Sequence, residues 1–389
     1  MPRIIKTPES TDSRLEFTLS DVDVAYANGI RRTIISDIPV LAFNTSLKEG
    51  NKNNCEIITN TSRLNNEIIK QRLSCIPICV NSVEEFETFE RNYLLQVNVE
   101  NNTDEILIVT TKDFKIIKNV ETGEYLSENS HRIVFPPYID PIHGREHYIH
   151  FVRLRPRISE EISGEKINLT CKFSIETAKK DSSFNVSGTC TYKRTPDRSA
   201  MMEEMRAKEV EFRGKGLNDK EVEFEKRNWQ LLDGMRIVVP NSFDFIIETV
   251  GIYSNERLVT IACKLIHTEL KNIETMLEAG EITIEMSNDT KPNCYEIYFN
   301  NYDYTIGNII NHEMYTAFFS SGEIHSVSVK KIHPHDSHIT MEVSLASGEN
   351  VKENLTRMLM QSCRNGMRTI NEIRREMKKI TVDEGETNA

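Results

Sequence analysis

Residues 15–32, Leu15-Glu16-Phe17-Thr18-Leu19-Ser20-Asp21-Val22-Asp23-Val24-Ala25-Tyr26-Ala27-Asn28-Gly29-Ile30-Arg31-Arg32, decide the fold, because the chain repeats their pattern 280 positions later. That shift lays Tyr295-Glu296-Ile297-Tyr298-Phe299 over Leu15-Glu16-Phe17-Thr18-Leu19. It also lays Asp303, Gly307, Asn308 and Ile310 over Asp23, Ala27, Asn28 and Ile30. Glu16, Asp23, Asn28 and Ile30 recur unchanged within about seventeen positions, where typical residue frequencies give about one match by chance. Leu15, Phe17 and Leu19 alternate with polar residues, as do Tyr295, Ile297 and Phe299, and that alternation reads as a half-buried strand. Each run meets a polar turn, Ser20-Asp21 or Asn300-Asn301, whose side chains can accept the free N–H groups that begin a helix. Helical spacing follows in Val24, Ala27, Ile34, Ile35 and Ile38, and again in Ile306, Ile309, Ile310, Met314 and Phe318.

Both copies close in the same way. Phe243, Phe245, Ile247 and Thr249 alternate, as do Ile339, Met341, Val343 and Leu345. A helix is expected from Asn255, with Leu258, Ile261, Ala262, Leu265, Ile273 and Leu277 on one stripe and Gly280 at its end. Another is expected from Asn350, with Val351, Leu355, Met358, Leu359, Ile370, Ile373 and Met377. Stripes this long exceed what one strand can cover, so the helices should pack on each other across two related half-units. Two copies also exclude a solenoid, which needs three or more.

The halves differ in their middles. The second has a short connection from Ser320 to Ser337, whereas the first carries a large insert, residues 81–239. The insert reads mostly as strands, at Leu94–Val99, Glu105–Thr110, His147–Arg153, Lys166–Phe173 and Ser187–Tyr192. Between Glu203 and Arg227, fifteen of twenty-five residues are charged, the mark of an exposed helical or mobile segment. Residues 381–389 read as a disordered tail. The domain plan is therefore 1–80 with 240–280, then 81–239 inserted, then 281–380. The class is α+β, each half-unit being a sheet plus a long helix.

Composition narrows the function. Lys+Arg 48 against Asp+Glu 59 leaves a net charge of −11 over 389 residues, which disfavours a protein whose main task is to grip nucleic acid. No apolar run approaches the ~18 residues of a membrane span, and the start lacks the apolar stretch of a signal peptide. The eight cysteines are scattered, with Cys75 and Cys79 spaced CxxxC, so a reducing, intracellular setting is expected.

An enzymatic alternative rests on His143, His147 and His150, or on His333, His335 and His338 with Asp336, as metal ligands. Neither cluster has the helical HExxH spacing that turns two imidazoles to one face, and Pro141 and Pro334 break the local structure. GxxxxGK[ST], GxGxxG and GxSxG are all absent. Asp21-Val22-Asp23 opens a helix, where capping is the plain reading. Arg31-Arg32 is more informative. Two adjacent arginines project about 100° apart on a helix spaced for burial, so at least one points away from the core, toward solvent or a partner subunit.

Ala27-Asn28-Gly29-Ile30-Arg31-Arg32-Thr33-Ile34 followed by Asp37-Ile38-Pro39 resembles the N-A-L-R-R…E-V-P stretch of the larger α-like subunit of cellular RNA polymerases. Asn44-Thr45-Ser46, then Asn65, Glu67, Arg72-Leu73 and Ile76-Pro77-Ile78, resemble that family's D-E-x-x-x-x-R-L-x-x-I-P-L stretch. The second half is similar to the smaller α-like subunit, at Asp289-Thr290-Lys291-Pro292-Asn293, Asp303-Tyr304-Thr305-Ile306-Gly307-Asn308 and Ile332-His333-Pro334-His335. Both in one polypeptide resemble the fused α-like subunit of large nucleocytoplasmic DNA viruses. The chain departs from the family at Gly29, where a helix-favouring Ala is usual, and at Asn65, where the family is acidic. It also lacks the cysteine motifs that hold zinc or an iron–sulfur cluster in some relatives, so no cofactor is carried over.

The resemblance implies two half-units paired by a pseudo-two-fold axis through Ile34, Ile35, Leu258, Leu265, Ile306, Gly307, Asn308, Ile310, Leu355, Met358, Leu359 and Ile370. It implies a non-catalytic assembly platform for the largest and second-largest polymerase subunits, the catalytic carboxylates and magnesium belonging to the largest. Asn28, Arg31, Arg32 and Arg72 become the expected partner-subunit contacts. Small accessory subunits are further partners, with no direct membrane contact and little or no DNA contact. The setting it implies is a viral factory or virion if the chain is viral, with a nucleus as the other possibility.

Overall fold

The computed structural model describes residues 1–389 apart from 8–9, 12, 47–52, 81–82, 120–121, 158, 160–162, 288–291 and 388–389. Asn81, the expected start of the insert, and Asp289-Thr290-Lys291 lie outside the described residues. The chain divides into two compact units. One is Met1–Ile34, Thr189–Glu248 and Asn255–Ala389, and the other is Ile35–Gly188 with Thr249–Ser254. The insert was expected at 81–239, so both of its edges move. Residues 35–80 fold with the inserted unit because strands from 40–42 and 55–60 are hydrogen-bonded into its sheets. Residues 189–239 fold with the first unit.

In the first unit, β1 (Arg3–Lys6) pairs antiparallel with β2 (Arg14–Ser20). Leu15, Phe17 and Leu19 are buried on one face of β2, as alternation requires. Asp21 then takes a left-handed φ of 60°, which Asp and Asn tolerate better than other side chains, and α1 (Val24–Ser36) begins. Tyr26, Ala27, Ile30 and Ile34 form its buried stripe. Val24 and Ile35, expected on that stripe, are 40% and 36% exposed, because 100° per residue carries each off the line through 26, 30 and 34.

The second unit runs β3 (Val40–Ala42), β4 (Cys55–Asn60), α2 (Asn66–Ser74), α3 (Val83–Asn92), β5 (Leu94–Glu100), β6 (Leu107–Thr110) and β7 (Lys115–Asn119). It continues through β8 (Glu124–Tyr125), α4 (Glu128–Val134), β9 (Tyr138–Ile139), β10 (Glu146–His147), β11 (His150–Leu154), β12 (Lys166–Lys172) and β13 (Ser174–Glu176). Its main sheet has the order β4-β12-β5-β7-β8, and β11-β6, β13-β3 and β10-β9 are two-stranded. Leu95, Val97, Ile167, Leu169 and Cys171 fill the core under that sheet. Phe114 and Phe151 meet edge to face at 5.2 Å.

β14 (Ser187–Pro196) is followed by two charged helices, α5 (Arg198–Gly214) and α6 (Asp219–Leu231), where the charge run predicts an exposed segment. α5 buries none of its residues, and α6 buries Val222 and Trp229. β15 (Val238–Thr249) and α7 (Asn255–Ala279) close the first sheet, and Gly280 ends α7 with φ 73°. Then come β16 (Thr283–Met286), β17 (Cys294–Asn300), α8 (Tyr304–Met314) with a π-helical turn at Tyr315–Phe319, β18 (Ile324–Lys330), β19 (His338–Leu345) and α9 (Val351–Thr387). β18 occupies the stretch expected to be a bare connection. The backbone of α9 is helical to Thr387, where a disordered tail was expected from 381.

The two sheets are built alike. Their orders are β1-β2-β15-β14 and β16-β17-β19-β18, so in both the third strand in sequence lies at the edge and the fourth beside the second. β2 and β17 are offset by 280 at both ends. Leu19 faces Phe243 as Phe299 faces Ile339, and Leu15 faces Ile247 as Tyr295 faces Val343. Asn301, 280 beyond Asp21, repeats the left-handed turn with φ 64°.

Candidate helix-pairing interface

Asp23 and Asp303 begin α1 and α8, each accepting a backbone N–H two residues on, from Ala25 and Thr305, at 2.8 Å. The other oxygen of each carboxylate reaches the far end of the opposite helix. Arg32 Nη2 donates to Asp303 Oδ2 at 2.8 Å, and His312 Nδ1 lies 3.6 Å from Asp23 Oδ2. Asp23 and Asp303 are 280 apart, and so are Arg32 and His312. The 280-residue shift therefore relates the two contacts, a hydrogen bond in one case and a 3.6 Å approach in the other. Together they set the start of each helix beside the later turns of the other, so each capping aspartate faces a basic side chain of the opposite helix.

Gly29 and Ile309, also 280 apart, meet midway. A Cβ on Gly29 would lie 3.2 Å from Ile309 Cδ1. The departure at Gly29 thus has a steric reason: the opposite copy fills the space with isoleucine. Tyr26, 1% exposed, sends its hydroxyl to Glu313 on α8. Burial, then the Glu313 charge, push that phenol far above its ordinary range, so it remains a donor.

α7 and α9 form the second pair. Val259, Ala262, Cys263, Ile266, Leu270 and Ile273 are buried on α7, and Leu355, Met358, Leu359, Cys363, Ile370 and Ile373 on α9. Gly366 permits a close approach. A Cβ there would stand 3.1 Å from Leu270 Cδ1 and 3.3 Å from Ile309 Cγ2. The buried Glu274 carboxylate accepts from Lys271 Nζ at 2.7 Å on its own helix and from Arg364 Nε at 2.6 Å on α9. Lys271 first, and Arg364 with it, hold the Glu274 carboxyl below its ordinary range. A depressed folded-state value stabilises the protein above the unfolded value of 4.5 and is lost as acidification passes through the folded one. Glu274→Gln is accordingly expected to be less stable than the parent at pH 7 by about 1–2 kcal/mol. The urea midpoints of the two should converge as the pH falls below 4.5 and through the depressed folded value.

Of the residues expected at the pairing surface, Ile34, Leu258, Ile306, Gly307, Ile310, Leu355, Met358, Leu359 and Ile370 are buried. Asn308 is half-buried, and with Asn28, Tyr192, Tyr304 and Tyr315 it lines a cleft of about 320 Å³ beside α1 and α8. Ile35 and Leu265 do not belong to the stripes. Leu265 is half-buried because it sits roughly a third of a turn from the centre of the α7 stripe, where Ile266 stands instead. The arginines expected at partner contacts also have partners within the chain. Arg32 is held by Asp303, and Arg72 donates to the carbonyls of Phe151 at 2.7 Å and His150 at 2.9 Å. Arg31 rests on Asn28 Oδ1 at 3.0 and 2.9 Å. Sequence reasoning missed Tyr26, Glu274, Glu313, Arg364 and Gly366. Applying the 280-residue shift to Arg32 would have found His312.

The histidines do not converge. His143 Nδ1 lies 2.7 Å from Asp140, and His333 Nδ1 accepts the His335 N–H. Among the described residues, no three His, Cys, Asp or Glu side chains are placed to hold a metal ion. No helix among them is long and apolar enough to cross a membrane.

Comparison with known proteins bears on the first half most directly. Over 287 residues the chain is 24% identical to DNA-directed RNA polymerase subunit Rpo3 of Pyrococcus horikoshii, covering 67% of this chain and 93% of that one. It is 38% identical over 74 residues to subunit 3B of the DNA-directed RNA polymerases IV and V of Arabidopsis thaliana, 19% of this chain and 20% of that one. It is 30% identical over 117 residues to a conjugation stage-specific protein of Tetrahymena thermophila, 26% of this chain and 33% of that one. The chain thus spans a fifth and a third of the latter two relatives. Residues 16–270 match the RNA polymerase Rpb3/Rpb11 dimerisation domain, a stretch that takes in β2, α1, β15 and most of α7. With well over half its length in that match, the chain belongs to the RNA polymerase Rpb3/Rpb11 dimerisation domain family.

Proposed function

We propose that this chain is a non-catalytic assembly platform of a multisubunit DNA-directed RNA polymerase, carrying both α-like partners in one polypeptide. In this reading the larger half comprises β1, β2, α1, β14, β15 and α7, with residues 35–188 inserted, and the smaller half is residues 281–380. A pseudo-two-fold axis relates them. The observation that carries the reading is the reciprocal contact of Arg32 with Asp303 and of His312 with Asp23, with Gly29 against Ile309 between them. Fusion makes the pairing intramolecular, at an effective concentration of order millimolar, and fixes a one-to-one ratio. The largest and second-largest subunits would assemble on this platform, with small accessory subunits beside them. The fused form is the kind that large nucleocytoplasmic DNA viruses use, which would set transcription in a viral factory, a virion or a nucleus.

Affinity purification of the tagged chain from its native source tests this. The chain should elute in a particle several times its mass that contains both large subunits; elution alone would refute it. Arg31→Glu is the informative variant, since Arg32→Glu would set a second carboxylate against Asp303 and disturb the fold. Arg31→Glu is expected to leave the melting temperature unchanged and to reduce recovery of the large subunits.

A further inference from the structure

We propose that the outward face of the β6–β11 ribbon is a docking surface for an extended acidic segment of a partner protein, its carboxylates alternating with aliphatic side chains. The ribbon is two-stranded, and its register sets Arg153 opposite Ile108 and Leu154 opposite Leu107. Val109, Val152 and Leu154 are buried. The other face carries Ile106 and Ile108, 62% and 39% exposed, beside exposed Arg153 and Arg155. An aliphatic row thus runs alongside a cationic row. The adjoining cleft, about 660 Å³, adds Arg63 and Arg72.

The charges are not all satisfied within the chain. Glu165 takes the Arg155 guanidinium at 2.5 Å, and Arg72 is bonded to backbone carbonyls. Among the described residues, the guanidinium groups of Arg63 and Arg153 have no hydrogen bond or ion pair. Four arginines against one carboxylate form a local cationic patch in a protein of net charge −11. Arginine forks suit carboxylates, and five residues of β11 extend over about 17 Å, the span of an equally short extended peptide. A peptide strand offers side chains at the same two-residue period as this face. Nucleic acid fits less well. It asks for aromatic stacking platforms, and Phe151, the one Phe, Tyr or Trp among the described residues lining the cleft, is fully buried.

Fluorescence anisotropy on the purified full-length chain tests the proposal. The probe is a labelled dodecapeptide alternating Asp with Leu, compared with one alternating Lys with Leu and with oligothymidylate of matched length. The Asp–Leu peptide should bind, weaken with salt, and lose about tenfold in affinity in the Arg63→Glu/Arg153→Glu variant. The Ile106→Ser/Ile108→Ser variant should also bind it more weakly, and melting temperatures should not move. Equal affinity in the charge-reversed variant, or tighter binding of oligothymidylate, would overturn the proposal. The result is independent of the polymerase reading. Failure of the tagged chain to retrieve large subunits would leave this surface standing, and failure of peptide binding would leave the platform standing.

Discussion

Exchanging the residues at 29 and 309 is expected to cost much less than either change alone. Gly29→Ile drives a branched side chain into Ile309 across a gap in which even a Cβ lies at 3.2 Å, so overpacking of about 1–3 kcal/mol is expected. Ile309→Gly leaves a cavity where a fully buried side chain stood and weakens α8, for about 3–5 kcal/mol together. If the two positions are equivalent across a dyad, the double variant presents the same isoleucine and the same gap with their owners interchanged. Urea denaturation of the four proteins should then give a coupling of at least about 2 kcal/mol. Strict additivity would mean that the side chains at 29 and 309 do not compete for one space.

The recurrence that predicts this equivalence was legible because backbone chemistry left marks at fixed spacing. Alternation in 15–19 and 295–299, a polar αL position at Asp21 and Asn301, and a capping aspartate at 23 and 303 are each local requirements that few residue types meet. Both long helices began where Asn255 and Asn350 suggested. What stayed hidden depends on tertiary partners. Ile266 and Leu265 are adjacent and equally apolar, and the position of α9 decides which is covered. Arg32 read as facing solvent or another protein; its partner, Asp303, is 271 residues away. The inserted unit was bounded too late for a similar reason. The residues of β3 and β4 read as ordinary sequence after α1, and only their pairing with β13 and β12 assigns them. Gly366 could not be singled out without Leu270 and Ile309 in view.

Cutting the chain between Gly280 and Glu281, at an inserted protease site, should yield two fragments that remain together. Both residues are exposed and Gly280 already ends a helix, so an inserted loop there gives up little beyond the Glu281 N–H bond to the Met276 carbonyl. Each fragment alone would expose a stripe of buried side chains from α7 or α9, at about 1.5–3 kcal/mol for each large one. Even after about 4–15 kcal/mol for lost translational and rotational freedom, the sum favours a complex at micromolar concentration. Leu270→Asp with Leu359→Asp should separate the fragments, because each buries an unpaired carboxylate at the crossing. The uncut protein should melt at a temperature independent of its concentration, whereas the cut protein, with one partner acting as a ligand for the other, should melt higher as concentration rises. Two cut halves that part at once and stay soluble, or a cut protein whose melting ignores concentration, would mean that the α7–α9 contact does not hold the two halves together.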